Sequence, residues 1–270
     1  MQDQTHNDQL SSYLKLGWTQ FEFDTNIDVW VRHALPCAKA AIISPDFAQW
    51  FRNNNTWFVG VNALPNDPLG RVGKSSHLQG KVTDFIKRLM PDETFQWDQG
   101  QISVCYPSYP QPWEGETEAA HQYRLKRDAA HVDGLAREGP QLKRHLREHH
   151  AFILGIPLVS APADASPVVI WEGSHQITRD CFKEYLQHIH PDNWGDVDVT
   201  KRYHELRKQI FHSCNRIELA VQPGECYLIH RLAMHGIAPW RNKQLGYNDG
   251  RIICYFRPEL DDPGKWLSLR

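Results

Sequence analysis

Three stretches of this 270-residue chain place a His and an Asp one residue apart: His6-Asn7-Asp8, His131-Val132-Asp133 and His190-Pro191-Asp192. With 15 His and 19 Asp in the chain, about one such pair arises by chance, so the surroundings must choose among them. His6 lies in a polar terminus, the kind of segment that stays mobile. His190 precedes a Pro at the expected end of a helix, where it caps or solvates that end. His131 follows "RLKRDAA" and precedes Gly134, as a strand running into a loop would. In a strand, residues i and i+2 project to the same face, so His131 and Asp133 can converge on one cation.

Such a cation needs a third ligand from elsewhere in the chain. "GECYLIHRLAMHG" (224–236) offers two, His230 and His235. On an uninterrupted strand, five residues of separation put them on opposite faces. Two imidazoles and one carboxylate on one face, with the opposite positions open, are the donor set of non-haem Fe(II) oxygenases. A different metal motif is "HLREH" (145–149). On a helix, His145 and His149 would share a face and hold zinc, with Glu148 as the general base of a hydrolase. Only ten residues separate Pro140 from the strand-like "AFILGIPLV", little room for that helix. The other readings are a solvated basic face, or a site edge that attracts anionic substrate through Lys143, Arg144 and Arg147.

The elements that must position these residues change character along the chain. "NIDVWVRHAL" (26–35), "PDFAQWFRNN" (45–54) and "GKVTDFIKRLM" (80–90) carry helical spacing. "TWFVGVNALPND" (56–67) is an apolar run ending in a turn. From residue 100 onward short β-branched or aromatic segments dominate: "QISVCY", "HAFILGIPLV", "SPVVIW", "RIELAV", "GECYLIH" and "RIICYF". A helical insertion at about 180–213 interrupts them. Many short strands with a few helices predict a mainly β protein, an antiparallel jelly roll with helices packed outside it. No linker or repeat divides the chain, which reads as a single domain over 1–270.

The totals narrow the class of partner. A net charge of −2 provides no global basic field for nucleic acid. No apolar run reaches 18 residues, and the N-terminus has no signal-peptide core, so neither a membrane span nor export is expected. Six scattered Cys without a Cys-x-x-Cys predict free thiols in a reduced, cytoplasmic protein. Ten Trp and nine Tyr fit an aromatic core or an aromatic-lined pocket.

Four segments, in order, resemble the phytanoyl-CoA dioxygenase family of Fe(II)/2-oxoglutarate oxygenases: "HVDG" (131–134), "SPVVIWEGSHQI" (166–177), "GECYLIHRLAMHG" (224–236) and "GRIICYFRP" (250–258). The resemblance implies a double-stranded β-helix of the cupin-like type over 100–258, prefaced by a helical region over 1–99. It implies that His131, Asp133 and His235 bind iron and that Arg251 grips the distal carboxylate of 2-oxoglutarate. A guanidinium fork suits that grip better than an ammonium does. It makes the Gly-Ser-His turn structural, so His175 is not a ligand. With O2, the co-substrate would be decarboxylated to succinate while a small-molecule substrate is oxidised. The stretch between His235 and Arg251 is longer than the family's usual one. "RNKQLGYND" (241–249) reads as an enlarged hairpin loop with Asn248-Asp249-Gly250 as its turn, and Arg241 and Lys243 sit nearer the usual offset. The alternatives are a non-catalytic jelly-roll module that binds metal or a small molecule, and the zinc hydrolase above. Neither substrate nor oligomeric state is legible.

Overall fold

The computed structural model describes residues 2–241 and 249–270. Its helices are α1 (Gln2–Leu16), α2 (Thr25–Ile43), α3 (Lys81–Leu89), α4 (Glu118–Arg127), α5 (Ser174–Leu186), α6 (Thr200–Ser213) and α7 (Lys265–Ser268). The first six strands are β1 (Trp18–Phe21), β2 (Phe51–Arg52), β3 (Trp57–Gly60), β4 (Gln101–Cys105), β5 (Leu135–Glu138) and β6 (Lys143–Leu146). The other six are β7 (Phe152–Pro157), β8 (Val168–Trp171), β9 (Arg216–Leu219), β10 (Cys226–His230), β11 (His235–Ile237) and β12 (Arg251–Phe256).

A seven-stranded sheet runs β1-β10-β7-β12-β4-β3-β2, a three-stranded sheet runs β11-β8-β9, and β5-β6 is a separate hairpin. Every named pairing is antiparallel. The fold is thus a jelly-roll sandwich with flanking helices, as the strand pattern predicts. Alternation assigns the two faces of the large sheet. Phe152, Leu154, Ile156, Leu228, Ile252, Cys254 and Phe256 join the core under α2 and α3, with Ile27, Trp30, Phe85 and Ile86. Ile153, Tyr227, Ile229 and Ile253 face inward and meet Val168, Ile170 and Leu219 of the small sheet. Both faces are therefore covered, which is why β7, β10 and β12 read as continuous apolar runs.

The structure departs from the sequence reading in several places. The first hundred residues supply three strands of the large sheet as well as helices. "PDFAQW" is a 3-10 helix, but "FR" after it is strand β2. The polar N-terminus is helix α1, whose Tyr13 is fully buried. "RLKR" ends α4 and is not a strand, and "KRHL" is strand β6 and not the helix that a zinc hydrolase would need. All six Cys are free thiols. No helix among the described residues is long and apolar enough to cross a membrane.

Candidate metal centre

Two short segments bring the site together. Helix α4 ends at Asp128, whose left-handed backbone (φ 53) turns the chain back toward the barrel. Arg216 clamps the Asp128 carboxylate with two hydrogen bonds of 2.7 and 2.8 Å. The second segment follows β10. The chain turns after His230 and restarts as β11, which pairs with β8 of the small sheet. The seam between the segments is an isolated antiparallel bridge. His131 N–H donates to His235 O at 2.8 Å, and His235 N–H donates to His131 O at 3.0 Å. Ile237 N–H donates to Asp128 O at 2.8 Å. His131 and His235 are thus tied back to back through their main chains.

The two glycines beside these residues are there for space. A Cβ on Gly236 would lie 2.2 Å from Asp128 O, and one on Gly134 (φ +84) would lie 2.2 Å from Glu148 O. Both are main-chain contacts that no rotamer change relieves.

Their side chains converge with Asp133. His131 Nε2 is 3.1 Å from Asp133 Oδ1, and His235 Nε2 is 3.7 Å from the same oxygen. The three donor atoms all lie within 4.8 Å of one another. Around a cation with bonds of about 2.1 Å, neighbouring donors at right angles sit about 3 Å apart, so small adjustments bring the set to one ion. Each imidazole is oriented by its own segment. His131 Nδ1 donates to Ala129 O at 2.9 Å and His235 Nδ1 to Ala233 O at 3.0 Å. A carbonyl only accepts, so Nδ1 carries the proton and both Nε2 lone pairs are left for a metal.

Burial pushes His235 down to about 4, against the pull of Asp133, so its imidazole is neutral at neutral pH. Burial would raise the Asp133 carboxyl, but His235, Arg257 and His131 together hold it well below the usual carboxylate range. The centre therefore offers two imidazole nitrogens and one carboxylate. Arg257 was not singled out in the sequence, yet its Nη1 lies 3.3 Å from Asp133 Oδ2 and its Nη2 donates to Gln101. The signal was present: in "RIICYFR" period-two alternation puts Arg257 on the face of Arg251, Ile253 and Tyr255.

Arg251 opens β12 opposite Cys105. It is buried, its Nη2 reaches Cys105 Sγ at 3.7 Å, and its Nε and Nη1 have no hydrogen-bond partner among the described residues. A buried guanidinium with two idle nitrogens is a costly arrangement unless an anion completes it. Tyr255, on the same face of β12 as Arg251, is hydrogen-bonded to Tyr227 at 3.1 Å. Tyr255 borders a hollow of about 290 Å³ whose walls include Trp57, Val59, Ile153 and the triad.

The remaining candidates lie elsewhere. His230 ends β10, fully buried between Arg179 and His175. The opposite-face argument fails for it because 224–236 is two strands in two sheets. His175 Nε2 donates to Leu14 O, and its Ser174 neighbour accepts from Met234 N–H at 2.8 Å, which braces β11. His145 Nδ1 is spent on Gly195 O. His190 pairs with Asp192 in solvent. His6 belongs to α1, with its side chain outside the described residues. Arg241 pairs with Glu218 at the surface, while Lys243, Asn248 and most of the 241–249 loop lie outside the described residues. Among the described residues the only three-residue group of metal-ligating type that converges this closely is His131, Asp133 and His235.

No protein-family model matches the sequence, and no curated protein matches it. Solved structures do. The non-heme alpha ketoglutarate dependent epimerase SnoN from nogalamycin biosynthesis aligns over 95% of this chain and 84% of its own, with a TM-score of 0.52 at 13% identity. SnoN in complex with Fe3+, alpha ketoglutarate and nogalamycin RO aligns with a TM-score of 0.50. EvdMO1 aligns over 95% of this chain and 50% of its own, with a TM-score of 0.51 at 13% identity. These likenesses establish a shared jelly-roll fold.

Proposed function

We propose that the chain is an Fe(II)- and 2-oxoglutarate-dependent dioxygenase of the phytanoyl-CoA dioxygenase type. It oxidises a small molecule and works as one oxygenase-like domain over 1–270. The observation that carries this reading is the convergence of two imidazoles and one carboxylate on a single point beside a hollow. Three protein donors hold a divalent iron without saturating it, leaving positions for a chelating co-substrate and O2. SnoN, whose structure carries iron and alpha ketoglutarate on the same fold, supports the same pair here.

His131, Asp133 and His235 would hold the iron. Arg251 fits the distal carboxylate of 2-oxoglutarate, because a buried guanidinium whose Nε and Nη1 have no partner among the described residues calls for an anion. When bound, iron, 2-oxoglutarate and O2 supply an oxidant through oxidative decarboxylation to succinate and CO2. The protein's own residues do the rest. Ala129 O and Ala233 O fix the two imidazole tautomers. Arg257 engages Asp133 Oδ2, so that Oδ1 is the oxygen facing both rings. Trp57, Val59 and Ile153 keep the hollow apolar and limit water beside the centre. Six free thiols suit a reducing compartment such as the cytoplasm.

The test is iron-dependent succinate formation from 2-oxoglutarate. The wild-type protein should form succinate, even slowly without substrate, and Asp133→Ala should abolish it. Succinate formation that survives Asp133→Ala would remove the metal assignment.

A further inference from the structure

A larger cleft of about 680 Å³ shares His131, Asp133, Trp57 and Glu148 with the hollow at the metal centre. Five arginines line it: Arg124, Arg137, Arg144, Arg147 and Arg207. Two are neutralised, Arg124 by Glu116 and Arg147 by Glu138. The other three have no carboxylate within ion-pair distance among the described residues. The acidic residues in the lining are Asp133, engaged by the triad and Arg257, and Glu148, paired with His150.

We infer that this cleft is the substrate site, and that Arg137, Arg144 and Arg207 bind a carboxylate or phosphate group of the substrate. The inference rests on the oxygenase reading for its reaction, but not for its chemistry of recognition. Arg144 and Arg207 lie over the ring of Tyr203, with guanidinium carbons 4.8 and 5.3 Å from its centroid. Arg207 also covers Tyr123 at 4.8 Å. Arg144 is 8% exposed, with Nη1 spent on Leu135 O, and Arg207 Nε is buried without a hydrogen-bond partner among the described residues. The three charges are close enough that Arg137 and Arg207 both depress Arg144, after burial as the larger cause. Like charges gathered without counter-charge repel, and an anion placed among them relieves that repulsion. Planar guanidiniums fixed on aromatic rings are pre-set to grip a carboxylate or phosphate fork.

The anion site is also wired to the metal centre. The Tyr203 hydroxyl accepts a hydrogen bond of 3.0 Å from Val132 N–H, the residue between His131 and Asp133. Small residues, Ala119, Ala120, Ala129 and Ala136, leave room along the cleft, and Trp57 lines both it and the hollow. A substrate anchored by its anionic end at Arg207 would thus lay its uncharged part across the triad.

The experiment is calorimetric titration of the full chain with phenyl phosphate and with benzoate, at low and high salt. The wild-type protein should bind one of them, more weakly as salt rises. The tighter probe identifies phosphate or carboxylate as the recognised group. Arg207→Gln and Arg137→Gln should each weaken that probe about tenfold or more. Lys208→Gln, an exposed cation on the same helix, should leave it unchanged. Arg137 is exposed, so its variant remains informative if Arg207→Gln unfolds. Binding of neither probe, or wild-type affinity in both arginine variants, overturns the inference. Fe(II) affinity is measured in the same samples. Loss of Fe(II) binding in the wild-type protein would sink the oxygenase reading and leave the anion result standing. Intact Fe(II) binding with unaltered anion binding in the variants would sink only the anion site.

Discussion

Gly236→Ala tests how the two histidines are held, without assuming which metal they bind. The new Cβ would lie 2.2 Å from Asp128 O, 3.1 Å from Asp128 C and 3.2 Å from Ala130 Cα. Ordinary contact begins at 3.4 Å, so the two segments must part by about 1.2 Å. They cannot part freely. The His131–His235 bridge and the bond from Ile237 N–H to Asp128 O all cross this seam. Metal sites tolerate about 0.2 Å in ligand distance, so a 1 Å displacement next to His235 exceeds that several-fold. We expect a loss of at least about tenfold in metal affinity. Overpacking of this kind costs about 1–3 kcal/mol, which lowers Tm by roughly 2–10 °C in a chain of this size. Calorimetric titration with Co(II), together with a thermal scan, measures both. Gly139→Ala is the control: its φ of +65 carries backbone strain, but nothing lies within 4 Å of the new Cβ. It should lower Tm slightly and leave metal binding alone. Wild-type metal affinity in Gly236→Ala would refute the back-to-back account of the two ligand segments.

Three further outcomes are expected. Arg251→Met should weaken 2-oxoglutarate binding by about a hundredfold or more, since the carboxylate would be buried unpaired, while Fe(II) affinity holds; equal loss of both ligands would contradict this division. Arg257→Leu frees Asp133 Oδ2 and should cost about 10–100-fold in metal affinity, with partial recovery in Arg257→Lys; an unchanged affinity would show that the contact is incidental. His175, pushed down to about 4 by burial, and His230, held well below its ordinary value by burial, stay neutral in the fold. Their stabilising effect is whole above the unfolded value of about 6.5 and is lost as pH falls toward 4, about 1.4 kcal/mol per pH unit for each. Urea denaturation between pH 7 and 4.5 should show the decline, and His175→Gln should flatten it.

The sequence reading and the structure agree where periodicity reports burial directly. The inner strands β4, β7, β8, β9, β10 and β12 were legible because apolar runs bounded by turns admit few other readings. The candidate triad was legible in its residues but not in its reasons. His131 and Asp133 were placed on a strand, whereas α4 precedes them and a single bridge to His235 aligns them. The break between β10 and β11 was hidden because "CYLIHRLAMHG" is apolar throughout, and only tertiary pairing divides it between two sheets. "KRHLREHH" was ambiguous for the reverse reason: its charges permit a helical face, but pairing with β5 makes its first half a strand. Helix α1 draws its order from tertiary contacts such as Tyr13 against Phe85, which no local pattern announces. Arg257 was visible by alternation, and Arg144 and Arg147 were noted as an anion-attracting edge. Their meeting with Arg207, more than fifty residues away in sequence, required the fold.

On the proposed function, His131, Asp133 and His235 hold iron and Arg251 holds 2-oxoglutarate. Anaerobic addition of Fe(II) and then 2-oxoglutarate, followed in the visible, tests it most directly. The wild-type protein should develop the weak charge-transfer band of the iron–2-oxoglutarate chelate. His131→Ala and His235→Ala should show none, and Arg251→Met should need far more 2-oxoglutarate to reach it. No band in the wild-type protein, or a full band in His131→Ala, would contradict the account.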